Sequence, residues 1–114
     1  MDAAELALKS LDKAAIVEIK SFPNPPKAVV MVMEAIMVLM GEKTEWNQIK
    51  VVIGDVNAFI NRLLNYDVSK TPESVLAKVR KNWLSLPEFD AEDVGKKNMA
   101  AKCLCLWALS VSKF

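Results

Sequence analysis

Ser21-Phe22-Pro23-Asn24-Pro25-Pro26 runs directly into Lys27-Ala28-Val29-Val30-Met31-Val32-Met33-Glu34-Ala35-Ile36-Met37-Val38-Leu39-Met40-Gly41, and this stretch decides the fold. Three prolines within Pro23 to Pro26 cannot sit inside a helix, because each lacks an amide hydrogen and pushes the residue before it toward extended backbone. A helix must stop there. The run that follows is apolar from Ala28 to Met40 except at Glu34. At ~1.5 Å per residue it is too short for a hydrocarbon core of ~30 Å, so it reads as a central helix buried on nearly all sides.

Working outward, the 114 residues fit one domain, and their 53% hydrophobic content with three glycines favours helices. The formal charge of +1 gives no overall pull toward nucleic acid or membrane. It is unevenly spread: residues 1–56 hold six basic and eight acidic side chains, and residues 57–114 hold nine and six. The second half is the expected contact for an acidic partner. There is no histidine, which removes the commonest general base and metal ligand. Cys103 and Cys105 lie one residue apart, so on a helix they point about 200° from each other and cannot pair. A reducing intracellular compartment is the expectation, no zinc site is completed, and the acidic start Met1-Asp2-Ala3-Ala4-Glu5 does not read as a signal peptide.

Upstream of the proline turn, Ala4, Leu8, Leu11, Ala15 and Ile19 recur at spacings of four, three, four and four, the stripe of a short coiled-coil seam or of an ordinary amphipathic helix. Downstream, Gly41 is a C-cap signal and Thr44 an N-cap signal for a helix whose Trp46, Ile49 and Ile53 share one face. Gly54 ends it and Asp55 caps the next, with Phe59, Ile60, Leu63 and Leu64 apolar and Asn61, Arg62 and Asn65 polar. Thr71-Pro72-Glu73 reads as cap, first-turn proline and early acid. That helix turns Val75, Leu76, Val79 and Trp83 inward and Lys78, Arg80 and Lys81 outward, and stops near Ser85 before Leu86-Pro87. Asp90-Ala91-Glu92-Asp93 opens the last helical region, with Gly95 a possible interruption. From Met99 to Phe114 the stripe Ala100, Cys103, Trp107, Val111 and Phe114 marks an apolar helix able to partner the first.

The expected fold is all-α, with antiparallel first and last helices flanking a small helical bundle made from residues 25–98. Isolated glycines make no phosphate-binding loop, and adjacent carboxylates such as Glu92 and Asp93 face different ways on a helix, so neither catalysis nor a cofactor is expected. Lys27, Arg62, Lys96, Lys97 and Lys102 are the polar candidates. Each alone reads as a solvated charge. If the proline turn, the Arg62 helix and the start of the last helix meet at one end, they form one basic patch that holds an acidic surface reversibly and with salt dependence.

The order Glu18-Ile19-Lys20-Ser21-Phe22, Asn24-Pro25-Pro26, Val29, Glu34, Gly41 and Trp46 resembles the microtubule-binding domain at the tip of the dynein heavy-chain stalk. The resemblance continues through Phe59, Leu64-Asn65-Tyr66-Asp67, Pro87-Glu88-Phe89, Glu92 and Val94. It closes with Lys96, Ala100, Lys102 and Leu104-Cys105-Leu106-Trp107. The runs Leu64 to Asp67 and Leu104 to Trp107 resemble the axonemal type more than the cytoplasmic one. The resemblance implies an all-α small helical bundle at the tip of a short two-helix antiparallel coiled coil, with residues 1–20 the first coiled-coil stub, 21–98 the bundle and 99–114 the last helix running into the second coiled-coil strand. It implies a motor-protein module that binds microtubules (α/β-tubulin) in an ATP-sensitive way, with its ATPase ring elsewhere in the heavy chain and its affinity set by stalk register. It further implies the cytoskeleton, the cytoplasm and the axoneme of a cilium or flagellum as location, and an accessory light chain as a further candidate partner.

Carried over residue by residue, the family's tubulin-facing elements supply Lys27, Arg62, Glu92 and Lys96, to which the charge pattern adds Lys97 and Lys102. Pro23, Pro25 and Pro26 become the hinge between seam and tip. A lysine common among relatives one turn into the buried helix is Val30 here, with Lys27 as its candidate replacement, and the hairpin some axonemal relatives insert is missing. Glu92 is expected to pair with Lys96 at i+4. Stalks in the family continue beyond both ends, so the chain reads as an excised domain with Met1 an added start. The competing reading is a non-catalytic helical scaffold that binds another protein through an apolar or Met-rich surface.

Overall fold

The computed structural model of the chain describes residues 11, 13–87 and 89–112. All regular structure among them is helical: α1 (Lys13–Ser21), α2 (Lys27–Met40), α3 (Trp46–Gly54), α4 (Val56–Leu64), a 3-10 turn (Val68–Lys70), α5 (Glu73–Val79), α6 (Ala91–Gly95) and α7 (Met99–Val111). A single π turn (Arg80–Leu84) extends α5. Ala4 and Leu8 of the expected seam, and Phe114 of the last helix, lie outside the described residues.

The prolines break the chain between α1 and α2 as expected. Pro26 is itself the residue before the first turn of α2, at φ −57° and ψ 144°, where its missing amide hydrogen is no loss. Helix α2 is the centre of the bundle, packed by α3, α5, the π turn, α6 and α7. Val29, Met31, Val32, Met33, Ala35, Ile36, Met37 and Leu39 are buried from solvent. Three of its four methionines are thus wholly inside, which removes the Met-rich surface that a scaffold reading relied on.

Gly41 ends α2 in the left-handed region at φ 76°. Its amide donates to the Val38 carbonyl at 3.1 Å and the Glu42 amide to that of Met37 at 2.8 Å, the paired bonds of a Schellman ending. Asp55 caps α4 through the Ala58 amide and Asp90 caps α6 through the Glu92 amide, as the sequence indicated. Two other caps do not form. Helix α3 begins after Glu45 rather than at Thr44, with no side-chain cap. At α5, Pro72 takes the cap position and Thr71 instead hydrogen-bonds the Tyr66 hydroxyl.

Ile49, Ile53, Phe59, Leu63, Leu76 and Val79 are buried as expected, whereas Leu64 is 52% exposed. Five residues beyond Phe59, at ~100° per residue, Leu64 has rotated well off the Phe59/Leu63 stripe. Arg80 is outward only in part: its side chain is 38% exposed, while its Nε donates to the Ser112 carbonyl at 2.6 Å and its guanidinium pairs with Glu73 at 3.1 Å. It braces the end of α7, where a cation suits the negative end of the helix dipole. Cys103 and Cys105 are free thiols, and both are buried because α1, α2 and α6 cover α7. Trp107 is packed edge-on against Tyr66, ring centroids 5.2 Å apart, so two of the most distinctive sequence runs meet in the core.

Candidate functional site

Lys27 is the first residue of α2, which has no acidic residue in its first turn. A cation there opposes the helix dipole, a local cost of a few tenths of a kcal/mol. The same field attracts an acidic group from outside. Opposite Lys27 stands α6, and Lys27, Ala28, Met31, Asp93 and Lys97 together line one depression of about 210 Å³. Its lining is mainly apolar, with Ala28 and Met31 beside the charged residues Lys27, Lys97 and Asp93.

The turn after α6 holds the rest of the cluster. Ala14, Ala15, Glu18, Gly95, Lys96, Lys97, Asn98 and Met99 border a second depression of about 360 Å³, where α1 meets the start of α7. Lys102 leans back across α6: a Cβ placed on Gly95 would stand 2.8 Å from its Cδ. Lys27, Lys96, Lys97 and Lys102 are therefore gathered around α6 and its two neighbours. The sequence expected this gathering but not its charge balance, because Asp93 and Glu18 are interleaved with the lysines.

Two expectations about the site need correction. Lys96 lies 3.8 Å from Asp93, at i−3, and among the described residues the expected partner Glu92 makes no ion pair. One residue more or less rotates a side chain by ~100°, and the short α6 turns Asp93 rather than Glu92 toward Lys96. Arg62 also stands apart from the lysines. It pairs with Glu42 at 3.3 Å, just past the C-terminal end of α2, while Lys27 opens that helix. The 14-residue α2 separates the two by about 20 Å. Both side chains of the pair are partly exposed, at 44% and 37%, so it is easily exchanged for a partner's charge.

Val30 is partly exposed one turn beyond Lys27. Pro23 is exposed, and Pro25 and Pro26 are half-buried. Asn98 is the residue that sequence reasoning missed. Buried to 5% exposure, it caps α7 by accepting from the Ala101 amide at 2.9 Å and donates from Nδ2 to the Ala15 carbonyl of α1 at 3.0 Å. The local signal was present, an Asn just before an apolar helical run. It was masked by reading residues 90–98 as one interrupted helical region.

The thiols and the Tyr66 loop are structural. Burial, with the Asp90 charge added, pushes the Cys105 thiol up to about 12, and burial also raises Cys103 against the opposing pull of Lys102. Burial raises the Tyr66 phenol, and the Ser69 hydroxyl and amide hold Asp67 below the usual carboxylate range. Among the described residues no three His, Cys, Asp or Glu side chains are grouped to hold a metal, and no helix is long and apolar enough to cross a membrane.

A family model described as the microtubule-binding stalk of dynein motor matches residues 1–114. The chain is 38% identical over 118 residues to dynein axonemal heavy chain 11 of Sus scrofa, covering 98% of this chain and 3% of that protein. It is 42% identical over 102 residues to dynein axonemal heavy chain 6 of Homo sapiens, covering 90% of this chain and 2% of that protein. Among solved structures, the microtubule-binding domain of dynein-c matches with a TM-score of 0.83 and 29% identity, over 97% of this chain and 79% of that one. The chain thus spans only 2% to 3% of the length of these heavy-chain relatives.

Proposed function

Because the chain belongs to the family of the microtubule-binding stalk of dynein motors, we propose that it grips α/β-tubulin through the start of α2, α6 and the start of α7. Arg62 on α4 makes a separate contact some distance away. The module is non-catalytic, and nucleotide chemistry belongs to the ring of a dynein heavy chain to which the stalk connects it. Residues 1–20 and 99–114 are the two stalk strands, and 21–98 the tubulin-facing bundle. Axonemal and ciliary relatives point to the cytoskeleton of a cilium or flagellum as its place of work. An accessory light chain is a further candidate partner.

The observation that carries this reading is the depression shared by Lys27, Asp93 and Lys97. A mainly apolar depression lined also by two lysines suits a glutamate or aspartate side chain of an acidic filament: the stem packs against Ala28 and Met31 and the carboxylate pairs with an ammonium group. The neighbouring Asp93 keeps the contact weak enough to reverse. Pro23, Pro25 and Pro26 separate α1 from α2, so an axial movement of α1 reaches the bundle as a change in the position of α2. In this way the stalk sets affinity and the remote ATPase controls binding.

Microtubule cosedimentation over a salt series tests the reading. Pelleting that falls steeply from low to physiological salt is expected. Lys27→Glu, Lys96→Glu and Lys97→Glu each weaken it while the helical circular dichroism stays unchanged. Wild-type affinity in all three variants would place the interface on another face.

A further inference from the structure

Helix α1 is joined to the rest of the bundle in two chemically different ways. Ile16 and Ile19 are fully buried, and apolar burial of this kind is non-directional, so it selects an axial position less sharply than a hydrogen bond does. The Lys20 Nζ donates to the Gly54 carbonyl at 3.1 Å, but its long side chain can follow a moving acceptor. Asn98 is different. Its side chain is short and 5% exposed, and it is fixed at its own end by capping α7. Its Nδ2 reaches across to the Ala15 carbonyl at 3.0 Å and to the Glu18 Oε1 at 3.3 Å.

We propose that Asn98 is the positioning residue that fixes the axial register of α1 against α7. Helix carbonyls return to the same face only about every 3.6 residues, or 5.4 Å of axis, which is longer than the reach of a hydrogen bond. A smaller displacement of α1 therefore leaves the Asn98 amide buried without its backbone acceptor, a state that is strongly disfavoured. A displacement by one full turn brings the next carbonyl into place. The allowed positions are thus discrete, as a single buried asparagine makes them in a coiled coil at some cost in stability. Glu18, one turn beyond Ala15 at i+3, accepts from the same nitrogen at 3.3 Å, but its longer, exposed side chain can follow the donor, so the Ala15 carbonyl is the acceptor that fixes the position.

The latch itself rests only on this geometry; its effect on filament affinity rests on the function proposed above. Its test is made on the 114-residue chain carrying Cys103→Ala and Cys105→Ala. Spin labels are attached through Val17→Cys on α1, paired in turn with Leu106→Cys on α7 and Val51→Cys on α3, all exposed positions. Distances are measured by pulsed dipolar spectroscopy. With Asn98 intact, one narrow population is expected for each pair. Asn98→Asp keeps an oxygen to cap α7 but cannot donate to Ala15, and it confronts the Glu18 carboxylate. A second population, displaced by up to about 5 Å in at least one pair, is expected.

Asn98→Ser, whose hydroxyl also caps, serves as the second variant and is expected to split the distribution in the same way. Single, unshifted distributions in either folded variant overturn the latch. Cosedimentation of the same proteins separates the two ideas. Split distances with unchanged pelleting leave the latch standing and refute control of affinity by register. Changed pelleting with unshifted distances overturns the latch and leaves the tubulin-binding face in place.

Discussion

Glu42→Gln isolates the ion pair that holds Arg62, a candidate contact residue, away from its partner. In the free domain the Arg62 guanidinium lies 3.3 Å from the Glu42 carboxylate, with the two side chains 44% and 37% exposed. At that exposure the pair is worth ~0.2–1 kcal/mol. Arg62 must give up this amount before it can engage a tubulin carboxylate. Glutamine keeps the length of the side chain and leaves intact the backbone bond from residue 42 to the Met37 carbonyl, so the ending of α2 is preserved. Removing the competitor should strengthen microtubule binding about 1.4- to 5-fold, from tenfold per ~1.4 kcal/mol. Arg62→Gln should weaken it, and the double variant should match Arg62→Gln, because Glu42 then has nothing to restrain. Cosedimentation at low and physiological salt measures all three, and the thermal midpoint of Glu42→Gln should stay close to wild type. Weaker binding by Glu42→Gln would mean that the pair aims Arg62 at the filament instead of withholding it, and the competition argument would fail.

Two further predictions concern stability and thiol chemistry. Gly41→Ala meets no atom within 4 Å of the new Cβ but must adopt φ 76°, so its cost is backbone strain alone, about 1–2 kcal/mol and a fall of several degrees in Tm; an unchanged midpoint in a thermal melt would show that α2 does not need this ending. Cys105, pushed up to about 12 by burial and by Asp90, holds its proton more tightly in the fold than in the unfolded chain. The stability it adds is therefore complete below the ordinary thiol range and is lost as pH rises from there toward about 12. Denaturant melts at rising pH should show this decline, with iodoacetamide at pH 9 modifying residue 105 at least tenfold more slowly in the native chain than in urea. Equal alkylation rates would show that the thiol is not enclosed as the structure has it.

Much of the site was legible because its elements are marked by local chemistry. The prolines end α1, the Asp55 and Asp90 caps begin α4 and α6, and the apolar run makes α2 central. The sequence groups Lys27, Arg62, Lys96, Lys97 and Lys102 as one set; the fold gathers the four lysines and leaves Arg62 apart. The partner of each charge was not legible. Asp93 rather than Glu92 meets Lys96, Glu42 takes Arg62, and Arg80 reaches Ser112. Each of these outcomes depends on a rotation of ~100° per residue or on where a distant segment passes, and no local pattern encodes either.

The sequence by itself determined an all-helical chain broken at Pro23 to Pro26, with a central apolar helix and no catalytic chemistry in its pattern. These follow from steric and hydrogen-bonding rules that act within a few residues of each position. Only the tertiary structure decided that Arg62 stands at the opposite end of α2 from Lys27, and that acids are interleaved with the lysines. It alone showed that Asn98 joins α1 to α7 across 83 residues of chain. A buried amide chooses its acceptor by packing, and packing is a property of the whole fold.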